Sequence, residues 1–206
     1  MKLYLSSYFL GDNPTKFAEL FGKNKKVAII MNAADIFGPA KRPDYLKKEI
    51  ASLAKIGLEG EELDLRDYFN DPVVLATKLQ QYGGVWVMGG NSFVLRRAMC
   101  QSGFDQIAPE LVLNDHLVYG GFSAGAVVAT KTLEGIEIVD DPKQLPEGYD
   151  SKIIWEGLGF YDESIAPHFK SDHPESATID KVVTYFEEKE MSYAALHDGE
   201  VIVVKT

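Results

Sequence analysis

Hydrophobic runs alternate with amphipathic stretches along the first 130 residues, in the way that strands alternate with helices. Residues 27–31 and 84–88 are continuously apolar and bounded by turn residues, which is typical of central parallel strands buried on both faces. The same reasoning predicts strands at 2–6, 58–65 and 117–119. It also predicts helices at 14–21, 44–57, 92–100 and 104–114, and a further helix that begins at residue 71. This order indicates a mostly parallel sheet with crossover helices on both faces, a three-layer α/β architecture.

The pattern changes after residue 130, where the predicted elements become shorter. Strands are expected at 136–139 and 164–166, and the spacing of Asp172 and Glu175 predicts a capping box for a helix that reaches about Glu190. Residues 193–196 and 200–204 are predicted to form a hairpin through the Asp198-Gly199 turn. Because no repeat or linker interrupts the chain, we predict a single domain over residues 1–206.

Composition narrows the class of protein. The chain has 206 residues, 46% of them apolar, and a formal charge of -10, which argues against a nucleic-acid partner. The single cysteine, Cys100, excludes an internal disulfide and a cysteine-based metal cage, and a reducing cytoplasm is its natural setting. The N-terminal residues do not resemble a signal peptide, and no apolar stretch approaches the roughly 20 residues of a membrane span. We therefore expect a cytoplasmic protein with no membrane partner.

Gly121-x-Ser123-x-Gly125 stands between an apolar run and a small-residue stretch that can form a helix. This spacing is typical of a nucleophile elbow, a sharp strand-to-helix turn that exposes a serine. The backbone N–H of Ala124 would then lie at the positive end of the helix, where it could stabilise an oxyanion. The alternative interpretation is a glycine-rich turn with a solvated serine.

A serine hydroxyl needs a base to become nucleophilic, and four histidines are available. His168 is favoured, because the residues before it bring it from the end of a strand, where parallel sheets collect functional side chains. His116 is expected at the opposite end of the elbow strand, His173 in the first turn of a helix and His197 in a turn.

Gly89-Gly90-Asn91 follows a predicted buried strand. Glycines there would allow a second backbone N–H, that of Gly90, to approach a reacting carbonyl. The alternative is an ordinary strand-to-helix turn with Asn91 as the helix N-cap. A phosphate site is not favoured, since neither a dinucleotide fingerprint nor a Walker lysine follows.

These motifs, together with Pro167-His168-Phe169, resemble peptidase E, the α-aspartyl dipeptidase family of serine peptidases, to which cyanophycinase is also similar. The resemblance covers essentially the whole chain. It implies a flavodoxin-like fold similar to class I glutamine amidotransferases, with Ser123 where those enzymes have cysteine. It also implies hydrolysis after an N-terminal aspartate, with no metal or other cofactor.

The acidic member of the triad is less clear from the resemblance. The family places a carboxylate either shortly after the nucleophile helix or near the C-terminal hairpin. The first position corresponds to Gly135, a departure from the family, and neither Glu134 nor Glu137 matches it residue for residue. Asp198 occupies the second position and is favoured, although an Asp-Gly turn could also explain it.

The sequence therefore predicts a serine exopeptidase that hydrolyses short peptides through an acyl-enzyme. Ser123 attacks, His168 transfers the proton, Asp198 orients His168, and the segment Gly89-Gly90-Asn91 with Ala124 surrounds the oxyanion. The cation that would bind the aspartate side chain stays open among Arg42, Arg66, Arg96, Arg97 and Lys170. The alternatives are an esterase of the α/β-hydrolase type and a non-catalytic binding module. The oligomeric state is not predicted.

Overall fold

A six-stranded mixed sheet forms the centre of the molecule in the computed structural model, which describes residues 1–206 apart from the side chain of Pro39. The strands are β1 (Lys2–Ser6), β2 (Lys26–Ile30), β3 (Glu59–Glu62), β4 (Gly84–Val87), β5 (Val118–Phe122), β6 (Ser164–Ala166), β7 (Tyr193–Ala195) and β8 (Val201–Lys205). The order across the main sheet is β3-β2-β4-β5-β1-β8, with parallel pairs throughout except for β8, which runs antiparallel to β1. Strands β6 and β7 form a separate parallel pair.

The helices connect these strands and cover both faces of the sheet. They are α1 (Thr15–Glu19), α2 (Arg42–Lys55), α3 (Pro72–Leu79), α4 (Ser92–Ser102), α5 (Phe104–Leu113), α6 (Ala124–Val127) and α7 (Ser176–Glu188). Short 3-10 helices occupy Asn32–Phe37, Pro39–Lys41, Leu65–Tyr68 and Ile136–Ile138. Among the described helices, none combines the length and the apolar character that a membrane crossing requires.

The alternation of side chains along β2 shows why the sheet lies between two layers. Ala28 and Ile30 belong to the core cluster that includes residues of α3, α4 and α5, whereas Val27 and Ile29 belong to the cluster that includes residues of α1 and α2. All four side chains are fully buried. The prediction of a central strand buried on both faces is therefore confirmed, and with it the three-layer arrangement.

Two predicted elements have different boundaries in the structure. Strand β3 ends at Glu62, and Leu65 begins a 3-10 helix, although Leu63 and Leu65 are buried as predicted. The predicted strand at 136–139 is wrong, because this segment is a 3-10 helix that follows Gly135 in a left-handed conformation. Its Ile136 packs into the cluster beneath α7, so the segment contributes to a helix-helix contact and not to a sheet edge.

The predicted C-terminal hairpin is also wrong. Strand β7 pairs with β6, whereas β8 pairs with β1, so residues 197–200 form a turn that connects two different sheets. The capping box predicted for α7 does not form, since this helix starts at Ser176 and its N-terminal flanking residue, Glu175, makes no side-chain cap. Asp198, in this turn, contacts His168, and Glu175 lines the same cavity as His168.

Candidate active site

Ser123 lies in the sharp turn between β5 and α6, with φ 49° and ψ -119°. Such a conformation is costly for a residue with a side chain and is typical of strained functional turns. The two glycines around it are required by close contacts: a Cβ on Gly121 would lie 2.7 Å from the backbone of Gly125, and a Cβ on Gly125 would lie 2.2 Å from the carbonyl oxygen of Val87. The backbone N–H of Ser123 donates to the carbonyl of Ser6 at 3.1 Å, which ties the turn to β1. The local geometry is therefore that of a nucleophile elbow.

The segment after β4 passes directly against this turn. A Cβ on Gly89 would lie 3.0 Å from the Cβ of Ser123, and a Cβ on Gly90 would lie 2.3 Å from the carbonyl oxygen of Ala33. Gly90 also has φ 138°, which favours glycine. Within the part of the chain that the structure describes, neither the N–H of Gly90 nor that of Ala124 has a hydrogen-bond partner. Two backbone donors are thus available near the serine.

Asn91, the residue after Gly90, holds the surrounding backbone in place through its side-chain amide. Its Oδ1 accepts a hydrogen bond from the N–H of Val94 at 3.0 Å, so it caps α4 as the alternative interpretation supposed. Its Nδ2 donates to the carbonyl of Asp141 at 3.0 Å and to Oε1 of Gln144 at 2.9 Å. Asn91 therefore fixes the segment 141–144 against the N-terminus of α4, and its amide group is fully used in doing so.

His168 and Asp198 form a hydrogen-bonded pair, with 2.6 Å between Nδ1 and Oδ1. Because the carboxylate accepts, the Nδ1 of a neutral His168 carries the proton, and Nε2 is left as the acceptor that a general base requires. The His168 side chain is 2% exposed. Burial lowers the pKa of His168, and the hydrogen bond that His168 donates to Asp198 opposes this effect. The imidazole is therefore held neutral and ready to accept a proton.

Ser7, which the sequence analysis did not single out, connects this pair. The fully buried Ser7 accepts a hydrogen bond from the backbone N–H of His168 at 2.8 Å, and its hydroxyl lies 2.9 Å from Oδ1 of Asp198. His168 itself has φ 62°, an unfavourable conformation that this backbone contact stabilises. The signal that could have indicated Ser7 is its place directly after a buried strand, at the carboxyl edge of the sheet.

His173 is the second residue whose position only the structure reveals. Its ring stacks on that of His168, with 3.7 Å between the centroids and an interplanar angle of 8°, and the ring of Tyr8 meets both edge-on. The N–H of Glu175 donates to Nδ1 of His173 at 3.2 Å. A charge on His173 would oppose protonation of His168, which adds to the lowering of its pKa.

The other candidate acids and bases lie elsewhere. Oε1 of Glu134 accepts from the hydroxyl of Tyr185 at 3.0 Å, and Glu137 lies on the 3-10 helix 136–138. A Cβ at Gly135 would lie 2.8 Å from both the Tyr185 and the Phe186 rings, which explains why an aspartate is not accommodated there. His116 and His197 are exposed. Of the carboxylates considered, the structure places only that of Asp198 against His168.

Ser123 and His168 line one cavity of about 460 Å³ at the carboxyl edge of the sheet. One part of its wall is aromatic, from Tyr8, Phe9, Phe37, Tyr45 and Phe122. Another part is acidic, from Glu49, Asp140, Asp141 and Glu175. The pKa of Asp140 is raised to about 6, mainly by burial and further by the charge of Glu175.

The five cations considered for substrate binding do not line this cavity. Arg42 and Arg66 line a neighbouring pocket, and both form ion pairs with Asp35 and Asp64. The guanidinium groups of Arg96 and Arg97 donate to backbone carbonyls of residues 142–156, and Lys170 lies over the ring of Phe169. Among the described lining residues, Lys48 is the one that carries an ammonium group.

His168, His173 and Glu175 also present donor atoms within 4.8 Å of one another, a spacing compatible with a metal ion. The parallel stacking of the two rings fits such an ion poorly, because stacked imidazoles direct their nitrogen lone pairs along parallel planes and not towards a common point. The hydrogen bond between Nδ1 of His168 and Asp198 leaves that imidazole arranged for proton transfer.

Comparison with known proteins places the chain among peptidases. The chain is 29% identical over 151 residues to the uncharacterized peptidase Lmo0363 of Listeria monocytogenes serovar 1/2a, a match covering 72% of this chain and 69% of that protein. It is 27% identical over 157 residues to the uncharacterized peptidase Lin0382 of Listeria innocua serovar 6a, covering 75% and 71%.

Solved structures confirm the predicted fold. A crystal structure of a protein provisionally described as peptidase E, from Listeria monocytogenes EGD-e, superposes with a TM-score of 0.73 at 24% identity, covering 100% of this chain and 98% of that one. A peptidase from an acI-B1 Actinobacterium has a TM-score of 0.66 at 15% identity, covering 99% and 83%. The architecture is thus the flavodoxin-like α/β fold that peptidase E shares with class I glutamine amidotransferases. The sequence also matches the model of Peptidase family S51 over residues 10–206, and the chain therefore belongs to peptidase family S51 and is a serine peptidase.

Proposed function

We propose that this peptidase hydrolyses short peptides through an acyl-enzyme formed at Ser123. The observation that carries the proposal is that the strained Ser123 and the hydrogen-bonded His168–Asp198 pair line the same cavity. Nε2 of His168 takes the proton of the Ser123 hydroxyl while Oγ attacks the peptide carbonyl carbon. The N–H groups of Gly90 and Ala124 stabilise the resulting oxyanion, each contributing about 3 kcal/mol to transition-state stabilisation.

The second half of the reaction returns the enzyme to its starting state. The C–N bond breaks, and the imidazolium of His168 gives its proton to the leaving amine. A water molecule then attacks the ester carbon while His168 accepts one of its protons, and the acid product leaves as the Ser123 hydroxyl re-forms. Asp198 keeps the imidazole in the required tautomer throughout and stabilises its charged form.

The size of the cavity supports a small substrate. A volume of about 460 Å³ lies within the roughly 300–1,000 Å³ of ordinary small-molecule sites. An N-terminal aspartate, the residue expected from the resemblance to peptidase E, would find its counter-ion in Lys48 at the wall of the cavity. Family membership favours peptide hydrolysis over the esterase and the binding module considered as alternatives. The low cysteine content and the charge of -10 support action in the cytoplasm, without nucleic-acid or membrane partners.

The test combines covalent labelling with hydrolysis of a dipeptide panel that varies the N-terminal residue and includes Asp-Leu. A fluorophosphonate is expected to label the wild type and not Ser123→Ala, and hydrolysis is expected to fall by at least about 10³-fold in that variant. Ser151→Ala, at an exposed serine outside the cavity, is the matched control and should behave as the wild type. Hydrolysis by Ser123→Ala at the wild-type rate would refute the proposal.

A further inference from the structure

Glu49 is a buried acidic residue of the main cavity that the proposed mechanism does not use. It lies on α2, lines the same cavity as Ser123, and is only 2% exposed. Its Oε2 accepts a hydrogen bond from the indole Nε1 of Trp86 at 2.7 Å. Among the described residues, its Oε1 has no hydrogen-bond partner, and this atom is not sealed off from solvent. The free oxygen of Glu49 therefore opens into the cavity.

Aromatic packing connects this carboxyl group to the proposed nucleophile. The ring of Trp86 packs on that of Phe122, with 5.7 Å between the centroids, and Phe122 directly precedes Ser123 in the chain. The ring of Phe9 lies 5.3 Å from that of Phe122, and both line the cavity. A long side chain of a substrate residue next to the scissile bond can therefore follow an aromatic surface from Ser123 towards Glu49.

The charge of the cavity indicates which side chain would bind there. Burial raises the pKa of Glu49, and the hydrogen bond from Trp86 opposes this effect. A buried carboxylate is costly without a partner, so a cation that reaches Glu49 stabilises its ionised form. Lys48, the next residue on α2, is exposed and forms no ion pair with it among the described residues. Four carboxyl groups line the cavity against this one ammonium group: those of Glu49, Asp140, Asp141 and Glu175.

We propose that Glu49 selects substrates with a basic side chain, lysine or arginine, in one of the two residues that flank the scissile bond. The inference rests on the proposed function and names a substrate class for it. The apolar stem of such a side chain packs on the aromatic wall, and its charged end donates to Oε1 of Glu49. The hydrogen bond from Trp86 holds the carboxyl in place before the substrate arrives. Where Lys48 pairs with an N-terminal aspartate, the basic side chain belongs to the second residue.

Matched dipeptides separate the charge of the side chain from its size. Arginine is compared with citrulline, and lysine with norleucine, at the first and at the second position of the best dipeptide of the panel. We expect the wild type to favour the charged member at one of these positions by about 10²-fold or more in kcat/KM. Glu49→Gln keeps the size of the side chain and an acceptor for Trp86, and it should reduce this preference to less than about 10-fold.

Two control variants distinguish Glu49 from the general charge of the protein. Asp141→Asn removes an exposed charge from the same cavity, and because solvent screens that charge it should reduce the preference by less than about 3-fold. Glu188→Gln makes the same chemical change as Glu49→Gln at an exposed position of α7 outside the cavity, and it should match the wild type. An equal loss of preference in Asp141→Asn and Glu49→Gln would overturn the assignment to Glu49.

Binding of the same peptides to Ser123→Ala, measured by titration calorimetry, separates this inference from the proposed function because it needs no turnover. We expect the same preference for the charged peptides in Kd, and its loss when Glu49→Gln is added. Equal kcat/KM and equal Kd for charged and neutral peptides at both positions would overturn the inference, even where Glu49→Gln does not fold. A charge preference in binding without hydrolysis or fluorophosphonate labelling by the wild type would support the Glu49 site and overturn the proposed function.

Discussion

Replacing Asp140 with asparagine should make the protein more stable at neutral pH. The carboxyl is half-buried beside Glu175, and its pKa is raised to about 6 from an ordinary value of about 3.9. Asparagine has nearly the same size, and its Oδ1 can still accept the hydrogen bond from the N–H of Ser92. The substitution therefore removes the charge and changes little else.

The expected gain follows from the pKa difference between the folded and unfolded states. A pKa difference of one corresponds to about 1.4 kcal/mol in the free energy of unfolding. The difference of about two at Asp140 therefore corresponds to at most about 3 kcal/mol. Because the pKa is raised by folding, ionisation of Asp140 destabilises the folded state. The destabilisation is absent below about pH 4, develops between about pH 4 and 6, and is complete above about pH 6. Asparagine does not ionise, so the stability gain of the variant should follow the same course.

Thermal and urea unfolding followed by circular dichroism at pH 4.5 and pH 8 measures this difference. We expect Asp140→Asn to have a melting temperature roughly 5–10 °C above that of the wild type at pH 8, and a much smaller difference at pH 4.5. Glu175, His168 and His173 face the same cavity in both proteins, so their titration largely cancels in the comparison. Asp162→Asn is the control for the loss of an exposed charge. A gain that is equal at both pH values, or a loss at pH 8, would refute the reasoning.

Two further substitutions test how the proposed catalytic groups are positioned. Ser7→Ala removes the hydroxyl that accepts from the N–H of His168 and contacts Asp198. We expect kcat to fall by about 10–100-fold, with a smaller change in KM and a shifted pH profile of kcat. An unchanged kcat and pH profile would contradict this positioning role. Gly125→Ala places a Cβ 2.2 Å from a carbonyl oxygen of β4 and should destabilise the protein by about 3 kcal/mol or more in urea unfolding. Gly22→Ala, where no atom lies within 4 Å of the added Cβ, should change stability by less than about 1 kcal/mol, and an equal effect of the two would show that the contact at Gly125 is unimportant.

Much of the fold was predictable because its signals are local. The continuous apolar run of β2 and the glycines around Ser123 each reflect contacts that any strand or elbow of that kind requires. The placement of His168 just after the end of a strand could be predicted from the short apolar run before it, which forms β6. Asp198 could be favoured but not assigned, because an Asp-Gly turn has the same local sequence whether it closes a hairpin or connects two sheets.

Contacts between distant residues are what only the tertiary structure decided. Ser7 and Asp198 are 191 positions apart, and they meet because β8 pairs with β1 while β7 pairs with β6. The stacking of His173 on His168 and the crowding of Asp140 with Glu175 depend in the same way on how α7 and the 136–140 segment pack onto the site. The amino-acid sequence by itself determined the buried parallel strands of the main sheet and the turn that carries Ser123, since these depend on neighbouring residues. The partners of the His168 imidazole and the charge around it depend on the assembled sheet, because strand pairing is set by burial over the whole chain and not by any one segment.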